Sequence, residues 1–177
     1  MAVVFPDGYR LAALGKDHPR RDFRSGVAEV DDWLATKALQ HQNKRLSTTK
    51  VLLDGDGDGD IVGFYTLATG QVDFGDLPAE VIRKLPRRAL PVAILAWLGV
   101  GRDRQGSGLA KRFFAQALAD CHHAGEVFAF VAVILDCLNE QAKAFYQHWG
   151  FQELPGNPYR LFISSAQLTA MMMADKD

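Results

Sequence analysis

The run Leu98-Gly99-Val100-Gly101-Arg102-Asp103-Arg104-Gln105-Gly106-Ser107-Gly108-Leu109-Ala110 holds the residue types and spacing that suggest chemistry. It reads as an apolar strand entering a glycine-rich turn that opens a helix. Glycines 106 and 108 lack a Cβ, so a ligand can approach the backbone there, and the first turn of the helix leaves amide N–H groups without intrahelical partners. Those donors and the positive end of the helix dipole suit a phosphate or pyrophosphate. Glycine also ends strands for structural reasons alone, so an ordinary loop stands as the alternative.

Two familiar phosphate motifs are excluded by spacing. A Walker loop needs Lys-Ser/Thr after its last glycine, and Gly106 is followed by Ser107-Gly108. A dinucleotide fingerprint needs a third glycine where Lys111 stands. Cys121 and Cys137 lie too far apart for a redox pair and lack the clustered partners of a zinc site, so they read as core residues of a reducing compartment. The Asp54–Asp60 run alternates aspartate and glycine like a calcium loop, yet the required twelfth-position glutamate falls on Tyr65 and the flanks read as strands. No metal is expected, and the run reads as the turn of a hairpin.

The elements that would position these residues follow from periodicity. Tyr9–Leu14 reads as a strand, and 27–45 as one helix with Val30, Trp33, Leu34, Ala38 and Leu46 on its apolar side. Strands follow around 51–53 and 61–67, then a short basic helix over 78–85 with proline at its start. Pro91–Val100 is nearly all apolar, as expected of a central strand covered on both faces. Leu109, Phe113, Phe114, Ala117, Leu118 and Cys121 mark the buried side of the next helix. A second central strand is expected over 127–138, a helix over 139–149 ending at Gly150, a hairpin over 151–162, and a last helix from 164 to 173 capped by Ser164 or Ser165. The order predicts an α/β fold, an α+β mixed sheet with helices on both faces.

The chain has 177 residues, 48% of them hydrophobic, enough for one domain spanning 1–177 with its own core. No leader-like start and no long apolar run appear, so a cytoplasmic protein is expected. The net charge of −1 is unevenly spread: between Val81 and Arg112 eight bases face one acid, Asp103. Such a patch suits the phosphates of a cofactor or of RNA. Solvated basic helix surface is the plainer alternative.

Two segments, in order, resemble the GNAT acetyltransferase superfamily. Gln105-x-x-Gly108-x-Ala110 is similar to its pyrophosphate loop, and Asn139-Glu-Gln-Ala142-Lys-Ala-Phe145-Tyr146-Gln-His-Trp-Gly150-Phe151 is similar to the helix after its fifth strand. The resemblance covers most of 50–163. It implies a central mixed sheet with acetyl-CoA as donor, its pantetheine arm on Leu98, Gly99 and Val100. Arg104, Gln105, Gly106, Ser107, Gly108, Leu109 and Ala110 would hold the pyrophosphate, with Asn139 and Phe145 also at the donor. Tyr146 would be the general acid for the leaving thiolate. Asn139 also suits a helix cap.

Arg21–Leu34, Gln40–Thr49 and Val62–Leu67 further resemble the GNAT toxins of type II toxin-antitoxin modules. Ser25 stands where those toxins carry cysteine, Val30 where they carry leucine, and Trp97 where a basic residue is common. The resemblance implies acetylation of the amino group of aminoacyl-tRNA, a block of translation, and a ribbon-helix-helix antitoxin; relatives are often homodimers.

The strand Pro91–Val100 carries no Asp, Glu or His to act as a base. An α-amino group with pKa ~7.7–8.0 is largely available at neutral pH, whereas a lysine at ~10.4 would need ~3.5 kcal/mol of help to lose its proton. An α-amino acceptor therefore suits the strand better. Lys44, Arg45, Lys50, Arg83, Lys84, Arg87 and Arg88 are candidates for the acceptor's phosphates. A GNAT enzyme for a small amine or protein N-terminus, and a non-catalytic acyl-CoA-binding regulatory domain, remain as alternatives. His122, His123 and His148 carry no assigned role.

Overall fold

The computed structural model describes residues 3–55 and 59–174. Its strands hydrogen-bond in the order β1 (Tyr9–Ala13), β2 (Thr48–Asp54), β3 (Ile61–Val72), β4 (Leu90–Val100), β5 (Ala132–Asp136), β7 (Asn157–Ser164) and β6 (Gln152–Leu154), a seven-stranded mixed sheet. The chain divides into two compact units, Ala2–Ala68 with Leu95–Leu118 and Thr69–Ile94 with Ala119–Asp177. Strands β3 (Ile61–Val72) and β4 (Leu90–Val100) run through both.

In the first unit β1 (Tyr9–Ala13), β2 (Thr48–Asp54) and β3 pair antiparallel, Leu11 opposite Leu52 and Val51 opposite Phe64. Val51, Leu52 and Leu53 are all buried, so both faces of β2 are covered there. The expected single helix over 27–45 is instead three pieces: α1 (Ala28–Asp32), a π-turn (Trp33–Lys37) and α2 (Ala38–Asn43). The Ala38 N–H donates to the Trp33 carbonyl, five residues back, so one extra residue is absorbed in the turn. Trp33, Leu34 and Ala38 all reach the core as a result. Past α2 Arg45 adopts φ 61° and the chain leaves the helix, which is why Leu46 is exposed instead of joining the apolar side.

Trp33, Thr49, Thr66 and Gln42 find partners beneath this helical segment, whereas the buried Ser47 Oγ has none among the described residues. The Trp33 Nε1–H donates to Thr66 Oγ1 at 3.2 Å, and Thr66 shares a 2.7 Å hydrogen bond with Thr49; both threonines are fully buried. Gln42 bridges two strand ends, donating to the Leu14 carbonyl and accepting from the Thr49 N–H. The central residues of the aspartate-glycine run, 56–58, lie outside the described residues. Among the described residues no cluster of His, Cys, Asp and Glu is arranged to hold a metal.

In the second unit α3 (Ala79–Ile82) is one turn, and β5 (Ala132–Asp136), β7 (Asn157–Ser164) and β6 (Gln152–Leu154) form two antiparallel pairs. The strand expected from 127 begins only at 132. Helix α4 (Leu109–Val127) extends into that apolar run and leaves Val127 and Phe128 exposed, with the Phe128 N–H still bonded to the Ala124 carbonyl. Helical propagation beyond an amphipathic stretch adds a hydrogen bond per residue, and that wins until the chain turns toward the sheet. Ile134, Ala132, Phe162, Leu90 and Val92 join one buried cluster. Helix α6 (Ser165–Ala174) starts on a capping box: Ser164 N–H donates to Gln167 Oε1, and Gln167 N–H to Ser164 Oγ. No helix among the described residues is long and apolar enough to cross a membrane.

Candidate active site

The glycine turn lies wholly in the first unit. Strand β4 ends at buried Val100, the Gly101 N–H donates to the Val62 carbonyl at 2.8 Å, and a short 3₁₀ turn covers Arg102–Arg104. Gly106 and Gly108 then take φ +83° and +79°, and a Cβ at either would meet nothing within 4 Å. The backbone is thus left-handed and open, with Leu109, Phe113 and Phe114 buried beneath to seat α4. Over its 19 residues α4 has the length for a developed dipole, and its first amides face this turn without intrahelical partners. The arrangement fits a pyrophosphate held by backbone, and the open space beside Gly106 and Gly108 is what that group needs.

Side chains around the turn brace it. Gln105 Nε2 donates to the Ser25 carbonyl at 2.7 Å and to the Val100 carbonyl at 3.1 Å. Ser25 is itself buried and clamped by Asp31 Oδ1, which accepts from its N–H at 2.8 Å and its Oγ–H at 2.6 Å. Ser107 Oγ closes the turn on the Arg104 carbonyl at 2.6 Å. Arg104 donates to Tyr9 Oη at 2.6 Å and Asp54 Oδ2 at 2.7 Å, so its guanidinium is engaged within the chain and its backbone is what the turn offers a phosphate. A sequence reading missed Tyr9, Ser25 and Asp31 as supports.

Leu98, Gly99 and Val100 sit at the end of β4, Leu98 half-buried and the other two buried. A Cβ on Gly99 would stand 2.7 Å from Val30 Cγ1 and 3.0 Å from Phe64 Cε1. Packing therefore accounts for that glycine, and the backbone alone is left for a ligand. Ala110 is half-buried in the first turn of α4.

Tyr146 lies in the second unit, on α5 (Glu140–His148). Asn139 resolves to a helix cap: its Oδ1 accepts from the Ala142 N–H at 2.8 Å. Phe145 and Phe151 pack edgewise or tilted on Tyr146, ring centroids 5.3 and 6.5 Å away. Burial, and secondarily Cys137, push the Tyr146 phenol well above its ordinary pKa. The proton therefore stays on Tyr146 throughout the neutral range. Helix α5 is tied down by Lys143–Glu153 at 2.6 Å and by the Tyr159 hydroxyl donating to Glu140. Cys121, its thiol pushed up to about 12 mainly by burial, and buried Cys137 are both free thiols. His122 and His123 lie within 4 Å of Glu126 on α4.

The basic candidates fall in two places. Lys44 and Arg45 are exposed at the end of α2, and Lys50 is half-buried on β2 opposite Tyr65 and Ala13. Arg83, Lys84, Arg87 and Arg88 are exposed between α3 and β4, Arg87 lying over the Phe74 ring.

A strand ending in an open, left-handed glycine turn, followed after a second strand by an asparagine-capped helix bearing a half-buried tyrosine, is the arrangement expected of an acyl-CoA-dependent acyltransferase. Residues 14–151 match the Acetyltransferase (GNAT) family, and the chain belongs to it. The chain is 33% identical over 150 residues, 85% of its length and 88% of the relative's, to a tRNA-acetylating toxin of Mycobacterium tuberculosis (strain ATCC 25618 / H37Rv). Its fold is similar to a solved structure of AtaT complexed with acetyl-methionyl-tRNAfMet, at TM-score 0.85 and 23% identity, covering 93% of this chain and 99% of that one. It is also similar to an AtaT mutant toxin bound to the C-terminus of the antitoxin AtaR and acetyl-CoA, at TM-score 0.79 and 20% identity, covering 94% and 99%. The protein is an N-acetyltransferase that uses acetyl-CoA as donor.

Proposed function

We propose that this enzyme acetylates the α-amino group of an aminoacyl-tRNA, acts thereby as a toxin that blocks translation in the cytoplasm, and is restrained by a ribbon-helix-helix antitoxin. The observation that carries the reading is the 33% identity to a tRNA-acetylating toxin over 85% of the chain. The chemistry of the chain supports it. Residues 91–100 offer no side-chain base, which an α-amine near neutrality does not need. Seven exposed or half-exposed cations, Lys44, Arg45, Lys50, Arg83, Lys84, Arg87 and Arg88, suit phosphates, whereas a polyamine acceptor would call for acids. We read residues 1–177 as one catalytic domain, because β3 and β4 run through both units.

Bound acetyl-CoA supplies an acetyl group activated as a thioester; transfer forms an amide, breaks the C–S bond and requires one proton from the amine side and one delivered to the thiolate. In this reading the amides at the start of α4, with the backbone of Arg104–Gly108, bind the pyrophosphate, while Gln105, Ser25 and Asp31 hold that turn in place. The backbone of Leu98–Val100 orients the pantetheine arm. Tyr146 holds its proton at the phenolic oxygen until the thiolate forms. Its raised pKa keeps the donor loaded and makes donation to the thiolate uphill, so the phenolate must regain a proton, the one released by the amine, before the next turnover.

The test is direct. Purified protein with labelled acetyl-CoA is offered charged tRNA, spermidine and peptides with free N-termini. Label on charged tRNA is expected; label on peptides or spermidine with none on charged tRNA overturns the reading.

A further inference from the structure

Strand β4 is the fourth of seven strands, where both faces ought to be covered, yet its exposure returns at Ala96, Trp97 and Leu98. The lapse runs up to Leu98, the first residue of the backbone read above as the seat of the pantetheine arm. Within it stands the largest side chain of the strand. Trp97 stacks on Trp33 with ring centroids 5.3 Å apart and planes 11° from parallel. The two indoles differ in what they do. Trp33 is 9% exposed, its N–H is tied to Thr66, and His41 packs against it edgewise with ring centroids 4.7 Å apart. Trp97 lies outside that buried set and keeps part of its surface open. A side chain serving only to fill the core would be covered as Trp33 is. What the fold builds instead is an indole backed by a second indole whose own rotation is locked by a buried hydrogen bond.

We infer that Trp97, backed by Trp33, is a stacking shelf for the adenine base that ends the acceptor tRNA. The inference rests on the proposed aminoacyl-tRNA acceptor and specifies how it is seated. In any aminoacyl-tRNA the reacting amine is one residue away from the ribose of the terminal adenosine, whatever the amino acid. A site that must bring that amine to the end of β4 therefore has this base within reach every time. An aromatic plane is indifferent to the aminoacyl side chain and recognises the base by its π-face, a contact strong enough to change affinity by about tenfold or more. Cations fix the phosphates from farther out; the shelf fixes the reacting end.

The experiment uses the full chain and uncharged tRNA as a competitive inhibitor of charged-tRNA acetylation, either complete or trimmed of its terminal adenosine. For the unsubstituted protein the trimmed tRNA is expected to inhibit about tenfold less well. Trp97→Leu, which keeps apolar bulk, is expected to abolish that difference, and Trp97→Phe to retain most of it, both with unchanged KM for acetyl-CoA. Equal inhibition by the two tRNAs in the unsubstituted protein overturns the inference. So does a Trp97→Leu effect that varies with the amino acid carried, or one that appears equally in the KM for acetyl-CoA. If the unsubstituted protein acetylates no charged tRNA, the proposed function fails and takes the shelf with it; if it does acetylate charged tRNA and Trp97→Leu still tells the two inhibitors apart, only the shelf fails.

Discussion

Gly108→Ala tests the anion cradle most sharply, because the structure fixes where its cost must appear. Gly108 stands at φ +79° with nothing within 4 Å of a Cβ position, so alanine meets no steric clash and pays only for the left-handed backbone. That cost is about 1–2 kcal/mol for an L-residue. If the turn keeps its shape, folding bears the strain, and the melting temperature falls by about 2–8 °C for a chain of this size. If the turn relaxes, stability is spared and the donor site is lost from its binding geometry, which raises the KM for acetyl-CoA by about 5- to 30-fold. The two losses should sum to the same 1–2 kcal/mol or so, plus whatever the new methyl excludes from the open space beside the turn. Steady-state kinetics in acetyl-CoA, calorimetric titration with CoA and thermal melting together read the partition. Gly99→Ala makes the contrast: its Cβ would press within 2.7 Å of Val30 and 3.0 Å of Phe64, so it should cost stability through overpacking and act on the donor only secondarily. A Gly108→Ala enzyme with unchanged melting and unchanged affinity for CoA would refute the assignment of this turn as a backbone cradle.

Other outcomes follow from the same coordinates. Tyr146→Phe is expected to lower kcat by about 100-fold or more with little change in CoA affinity, measured by single-turnover acetylation; a near-normal kcat removes it as the acid. The rate should rise with pH as the acceptor's α-amine loses its proton near ~7.7–8.0 and then level off, whereas continued rise toward ~10 would indicate a lysine acceptor. Tyr146 contributes nothing to that limb: its folded-state pKa is raised, so the stability its protonated form confers is complete below the ordinary tyrosine pKa of ~10 and is lost only as pH climbs through the raised value. Thr66→Val should destabilise the fold by about 1–3 kcal/mol in urea melts, because it strands the buried Trp33 N–H and leaves Thr49 with one partner fewer.

How much of this was legible in the sequence depended on whether a property is local. The 3.6-residue spacing of Leu109, Phe113, Phe114, Ala117, Leu118 and Cys121 located the buried face of α4, and all six are buried. The end of that helix was not legible, since Val127 and Phe128 have the composition of the strand that follows them and only tertiary direction separates the two. The π-turn was equally hidden, because absorbing one residue leaves composition unchanged and alters only the phase of Trp33 and Ala38. At the site, glycine spacing and Asn139-to-Gly150 spacing marked the turn and α5. The braces did not show, because Gln105 reaches a carbonyl 80 positions earlier and Arg104 an acid 50 positions earlier. Trp97 read only as standing where relatives often carry a basic residue; its stacking on Trp33, from a different element, could not be read from the sequence.

The tie from Gln105 to Ser25 also sets an order of events on the way to the folded state. The Ser25–Asp31 contacts are local in sequence, six residues apart, whereas the Gln105 bond that ties the glycine turn to them spans 80 residues. Donor binding is therefore a late property that appears when two stretches 80 residues apart have closed on each other, the kind of long loop closure that slows folding. If acetyl-CoA binds at this turn as proposed, it stabilises the closure by mass action: donor at 100 times its Kd adds about 2.7 kcal/mol to stability. On the proposed seat, the donor therefore also steadies the contact between Gln105 and Ser25, a gain that thermal melting with added acetyl-CoA reads directly.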